Sequence, residues 1–147
     1  NVGLADAIAL QANRKTFGDV RGHALGLMGT WPDALSLTEA VQRIATGVNR
    51  TQLPFVFPYG PEAIRTVGLC TGAASDLIEA AAGEGCDLYL TGELCERSAA
   101  LARELQITLI AAGHYATEVF GAMRLVDELR MKFADLEVEF LDVPTPI

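Results

Sequence analysis

Apolar positions along the chain follow two rhythms. In "SLTEAVQRIATGV", Leu37, Val41, Ile44 and Val48 recur at the spacing of one helical face. Ser36 and Glu39 supply the S-x-x-E pattern of a capping box, so a helix is expected to start there and stop around residues 47–49. From residue 64 onward, short β-type runs alternate with helical ones. "IRTVGLCT", "CDLYLT" and "ITLIAA" read as strands, with "SDLIEAAAGEG" and "CERSAALARELQ" as helices between them. A long helix over residues 114–133 follows, and then a strand in "LEVEFLDV". Upstream, residues 1–12 read as the end of a helix and residues 13–18 as a polar joint. "VRGHALGLMG" is strand-like, and a short strand near residues 54–57 runs into the turn "PYGP".

Strands separated by helices of this length predict βαβ units. The expected class is α/β, with a mixed, mainly parallel sheet flanked by helices and all of residues 1–147 in a single domain. In the long helix, Val119, Met123, Val126, Leu129 and Phe133 form an apolar stripe that reads as a packing face.

Composition narrows the function. The chain has 147 residues, half of them hydrophobic, which suits a compact core. It carries 19 acidic against 11 scattered basic residues, a net charge of -8, which argues against nucleic-acid binding. No apolar run approaches the roughly 20 residues that span a bilayer, so no membrane segment is expected and a cytoplasmic location is. Cys70, Cys86 and Cys95 are odd in number and contain no CxxC pair, a pattern of reduced thiols, with Cys70 and Cys86 in the core.

Ligand sites in parallel sheets lie beyond the carboxyl ends of the strands, and three turns there carry polar groups. "CTGAASD" offers Ser75 and Asp76 either as helix caps or, with its backbone donors from Thr71 onward, as an anion cradle. "TGE" ends in Glu93, either a simple helix-start carboxylate or a functional one. "AAGHYATE" puts His114 at a helix start with Glu118 four residues on, about 6 Å along the axis and on the same face. Imidazole and carboxylate are both ligands for zinc, iron, manganese or nickel. The same spacing also describes an exposed first-turn histidine beside a solvated acid. His23, with no acid at ligand spacing, reads as a strand-edge residue. A nucleotide-binding reading of "TGAASD" lacks both the G-x-G-x-x-G and P-loop patterns. The three turns are expected to share one cleft.

"LCTGAASDLIEAA", "CDLYLTGELCERSAALARE", "AAGHYATEVFGAMRLVDEL" and the terminal "FLDVPTPI" resemble, in order, the C-terminal half of the Nif-three-like family of dinuclear-metal-centre hexameric proteins, also known as type-two GTP cyclohydrolase one homologues. "GLMGTWPDALSLTEAVQRI" resembles the middle region of that family. The G-H-x-x-x-E element is its most specific part. The resemblance implies that His114 and Glu118 are metal ligands, that an intact subunit holds two divalent ions, and that subunits form a homohexamer.

It also implies a dinuclear metal-dependent hydrolase acting on a small substrate, with the paired ions activating water. Glu93 would then help catalysis by orienting substrate or water. The alternative is a non-catalytic metal-binding ring scaffold or partner-binding protein. The family's other ligands, a histidine pair and an H-x-x-x-D element, have no counterpart here, so the resemblance implies the middle and C-terminal half of a longer two-part protein. Glu93 stands where many members have T-G-D followed by a histidine, and that histidine is also missing.

Overall fold

The structure, a computed structural model, describes residues 1–48 and 53–143. Its elements run α1 (Val2–Ala7), β1 (Ala12–Val20), β2 (His23–Leu35), α2 (Leu37–Gly47), β3 (Phe55–Pro58) and β4 (Ile64–Cys70). A short 3-10 turn (Ser75–Leu77) then leads into α3 (Ile78–Gly83), β5 (Leu88–Thr91), α4 (Ser98–Glu104), β6 (Thr108–Ala111) and α5 (His114–Lys132). The six strands form one mixed sheet in the order β1-β2-β4-β5-β6-β3. It is the α/β arrangement that the strand and helix rhythm predicts.

The share of parallel pairing is smaller than expected. β4, β5 and β6 pair in parallel, as their βαβ connections require, while β1–β2, β2–β4 and β3–β6 are antiparallel. The physical reason begins with a strand hidden in what reads as a polar joint. Residues 13–18 belong to β1, an edge strand in which Phe17 alone is buried, so its sequence lacks an apolar alternation. Arg21 and Gly22, both at positive φ, close a two-residue turn to β2, and such a turn joins only antiparallel strands.

Inward residues alternate between the two faces of the sheet. Leu88 and Leu90 of β5 join Trp31, Ile44, Ile64 and Leu69 in one core beneath α1, α2 and the start of α5. Tyr89 between them joins Phe17, Ile78, Ala81 and Leu109 under α3 and α4 on the opposite face. Cys70 and Cys86 are free and buried, as expected of core thiols. The Ser36–Glu39 capping box forms as predicted, with the Glu39 carboxylate accepting the Ser36 N–H at 2.8 Å. α2 ends at Gly47 with Val48 as its C-cap, inside the expected stop, while Asn49 and the end of "FLDVPTPI" lie outside the described residues.

Two expectations fail at the C-terminal side. No strand forms in "LEVEFLDV". Residues 138–143 lie along α5, where the Val138 carbonyl accepts from Arg130 Nε at 2.8 Å. The stripe on α5 is not a core face either. Met123 is 46% and Phe133 44% exposed, because helical periodicity marks an apolar stripe without saying whether this chain supplies its cover. No helix among the described residues is long and apolar enough to cross a membrane.

Candidate metal centre

The three turns beyond β4, β5 and β6 are bonded to one another. The Gly72 carbonyl accepts from Gly92 N at 2.9 Å, Glu93 N at 3.1 Å and the Thr91 hydroxyl at 3.2 Å. Gly113 N donates in turn to the Gly92 carbonyl at 2.9 Å. Thr117, fully buried in the first turn of α5, accepts from Gly72 N at 3.0 Å and donates to the Gly113 carbonyl at 3.0 Å. Gly113 caps α5 at φ 95, and the helix opens directly on His114.

His114 lies between two carboxylates. Its Nδ1 meets Glu93 Oε1, and its Nε2 lies 3.0 Å from Glu118 Oε2. The bond to Glu93 is the main cause lifting the imidazole pKa above its ordinary 6.5; partial desolvation opposes the rise and the charge of Glu118 adds to it. With Glu93 holding Nδ1, Nε2 is the nitrogen able to present a lone pair outward. A separation of 3.0 Å suits two donors that share one cation, each bonded at about 2.1 Å. Gly72, at φ 70, keeps the space clear: a Cβ there would run into Glu118 Oε1 and lie 3.2 Å from His114 Nε2.

The donor set therefore fits part of a metal site. Among the described residues no group of three or more His, Cys, Asp or Glu side chains is placed to hold an ion. Glu93 is occupied on the far side of the ring from the outward nitrogen. The expectation that it orients substrate or water is thus joined by a direct contact with His114 itself.

In "CTGAASD" the backbone donors turn to internal bonds rather than to an anion. Thr71 N donates to the Asn1 side chain at 2.9 Å, Gly72 N to Thr117 and Ala74 N to Gly72, so these donors are already used. Ser75 and Asp76 are not helix caps. Asp76 pairs with Arg97 at 2.6 Å, and the Ser75 hydroxyl, with that of Ser98, holds the exposed Cys95 thiol below its ordinary pKa of 9.0.

Beside the donor pair opens a cleft of about 510 Å³. Glu93, His114 and Glu118 form its polar end. Val119 and Ala122 of α5 face Phe140, Leu141 and Val143 of the C-terminal segment along its apolar flanks. That segment is tied down where the Tyr115 hydroxyl donates to Asp142, a bond that raises the phenol pKa. Sequence reasoning missed Thr117, Tyr115 and Asp142. The first is a polar residue whose burial depends on a distant loop; Tyr115 and Asp142 lie 27 residues apart, and Asp142 falls within the segment expected to be a strand.

Fold and site together define a mixed-sheet α/β protein with a histidine–carboxylate cluster at the carboxyl ends of its parallel strands. The profile of the Duf34/NIF3 (NGG1p interacting factor 3) family matches residues 1–146, and the chain belongs to that family. A GTP cyclohydrolase 1 type 2 homolog of Vibrio cholerae is 36% identical over 132 residues, covering 88% of this chain and 52% of that protein. The chain thus spans about half the length of that relative. The solved structure of protein ybgI, described as of unknown function, superposes with a TM-score of 0.84 at 31% identity over 100% of this chain and 56% of its own. TTHA1606 from Thermus thermophilus follows with a TM-score of 0.79 at 29% identity, over 98% and 54%.

Proposed function

We propose that this chain supplies two ligands, His114 and Glu118, to a divalent-metal centre, and that the protein is a dinuclear-metal-dependent hydrolase acting on a small substrate. The observation that carries this reading is the 3.0 Å pairing of His114 Nε2 with Glu118 Oε2, with Glu93 fixing the other ring nitrogen. Zinc, iron, manganese and nickel all accept such donors. Two ions per intact subunit, a homohexameric ring and a cytoplasmic location complete the proposal, supported by family membership.

Bound divalent ions would supply Lewis acidity and a water acidic enough to react near neutral pH. The chain's own residues do the positioning. Glu93 holds the imidazole plane and its tautomer, and Thr117 and Gly72 fix the start of α5 relative to β4 and β5. Glu118 is too committed as a ligand to serve as a general base. A non-catalytic metal-binding scaffold is the second reading. It draws on the incomplete donor set among the described residues, which suits weak binding by this chain alone.

Calorimetric titration of zinc and manganese into the 147-residue chain tests the site. Wild type should bind weakly, Glu118→Gln should bind at least tenfold more weakly still, and Glu93→Gln should lose on the order of 10-fold to 100-fold through the misoriented ring. Equal affinity for wild type and Glu118→Gln would remove Glu118 from the ligand set. Turnover of small ester, amide or phosphoester substrates by the metal-loaded longer protein separates hydrolase from scaffold.

A further inference from the structure

The apolar flank formed by residues 138–143 has no structural account in the fold. Leu141 and Val143 are 75% and 72% exposed, yet the segment that carries them is pinned at two points, by Arg130 to the Val138 carbonyl and by Tyr115 to Asp142. Exposed apolar side chains mark interaction surfaces or ligand grooves, and these flank a cleft. The cleft volume, about 510 Å³, lies in the range of small-molecule sites. Its polar groups are gathered at one end. Among the described residues no lysine or arginine lines it, whereas two carboxylates do.

We propose that residues 138–143 are the specificity wall of this site, and that the site takes a small molecule with an uncharged, ring-sized apolar body and its polar group at the His114 end. A triphosphate chain finds no cationic partner among the lining residues and is repelled by Glu93 and Glu118. Tyr115 sets the register, because it follows His114 directly and bonds Asp142. The wall is thereby fixed relative to the donor pair, and Tyr115 acts as a positioning residue. Only the fate of the polar end rests on the metal reading above. The wall itself does not.

The test uses the chain free of metal, in the presence of a chelator, with N-phenyl-1-naphthylamine as a neutral fluorescent probe. Saturable binding is expected, with amide shifts in NMR spectra at Val119, Ala122 and residues 140–143. Leu141→Ser and Phe140→Ala should each weaken it about tenfold, through loss of buried apolar area. Tyr115→Phe should weaken it about threefold, and Asp142→Asn, which keeps an acceptor for the phenol, should stay within twofold of wild type. GTP at 1 mM, on the order of a weak-ligand concentration, should not displace the probe.

Absence of saturable binding, shifts confined to other surfaces, full affinity in Leu141→Ser, or displacement by GTP at or below about 1 mM would each overturn the proposal. The wall variants should keep the wild-type affinity for zinc. Loss of probe binding in Leu141→Ser from a chain that binds no metal would leave the wall standing and the metal reading fallen. The reverse pattern would overturn the wall alone.

Discussion

The two ends of α5 live in different surroundings. At its start, Ala116 and Thr117 are buried, and the backbone of three loops is knitted around Gly72 and Gly92. Beyond Gly121, Met123, Leu125 and Met131 stand exposed. One helix thus carries a donor pair fixed by backbone hydrogen bonds and, one to two turns later, an apolar surface held only loosely by its neighbours. The difference teaches that the position of the His114–Glu118 pair is a property of the sheet ends, while the exposed half of α5 carries side chains that can change without disturbing it.

Glycine substitutions should break this comparison most clearly. A Cβ on Gly92 would lie 2.7 Å from Thr117 Oγ1, 2.8 Å from the Gly72 carbonyl and 2.9 Å from His114 Cα, so Gly92→Ala should destabilise by about 3 kcal/mol. At Gly121 nothing among the described residues lies within 4 Å of an added Cβ, and Gly121→Ala should stabilise by up to about 1 kcal/mol through helix propensity. Urea unfolding of both variants checks the pair. Similar responses at the two sites would erase the distinction between the ends of the helix.

Thr117→Val keeps the shape and deletes the acceptor of the buried Gly72 N–H, at an expected cost of about 2 kcal/mol. Val126→Ala, in the open half of the same helix, should cost under about 1 kcal/mol by the same measurement. A smaller loss in Thr117→Val than in Val126→Ala would reverse the comparison.

Acidity sharpens it further. The folded pKa of His114 lies above the 6.5 of the unfolded chain, so its ion pairs stabilise the metal-free protein fully below pH 6.5 while the carboxylates stay ionised. That contribution disappears as pH rises through the folded value. Solvent screening at this half-exposed site holds it to about 1 kcal/mol or less. The stability difference between wild type and His114→Asn should therefore be larger at pH 6 than at pH 9. A difference that grows with pH would contradict the Glu93–His114 bond.

The smallest effect on stability, and a large one on reactivity, concerns the thiols. Cys95, with its pKa lowered chiefly by Ser75, should be alkylated first, with a midpoint below pH 9.0 that moves upward in Ser75→Ala. Cys86, pushed up to about 12 by burial, should stay inert in the folded chain. Modification of Cys86 before Cys95 under native conditions would contradict the burial pattern.

Local signals were legible in the sequence and relational ones were not. The Ser36–Glu39 cap lies within four residues, and the His114–Glu118 pairing within five, so spacing alone brings each together. The strand β1 escaped notice because an edge strand needs only one inward residue, here Phe17. Spacing shows the α5 stripe to be apolar but not whether it is covered, since cover belongs to whatever packs there and not to the helix. Glu93 was placed near His114 only through the general rule about strand ends. The atom it touches depends on a loop geometry set by Gly72, a residue that looked like an anion-binding turn.

The Gly72 bonds also set an order of events in time. Its carbonyl is reached from Thr91, 19 residues along the chain, and its N–H from Thr117, 45 residues along. Closures of that length cost entropy before they return any bond energy, so they follow the pairing of β4 with β5 and β6. The imidazole and the carboxylate of the pair are neighbours in any nascent turn of α5, but their alignment with Glu93 follows the pairing of β4, β5 and β6. Alignment of His114 with Glu93 is therefore a clock for completed pairing of the three parallel strands.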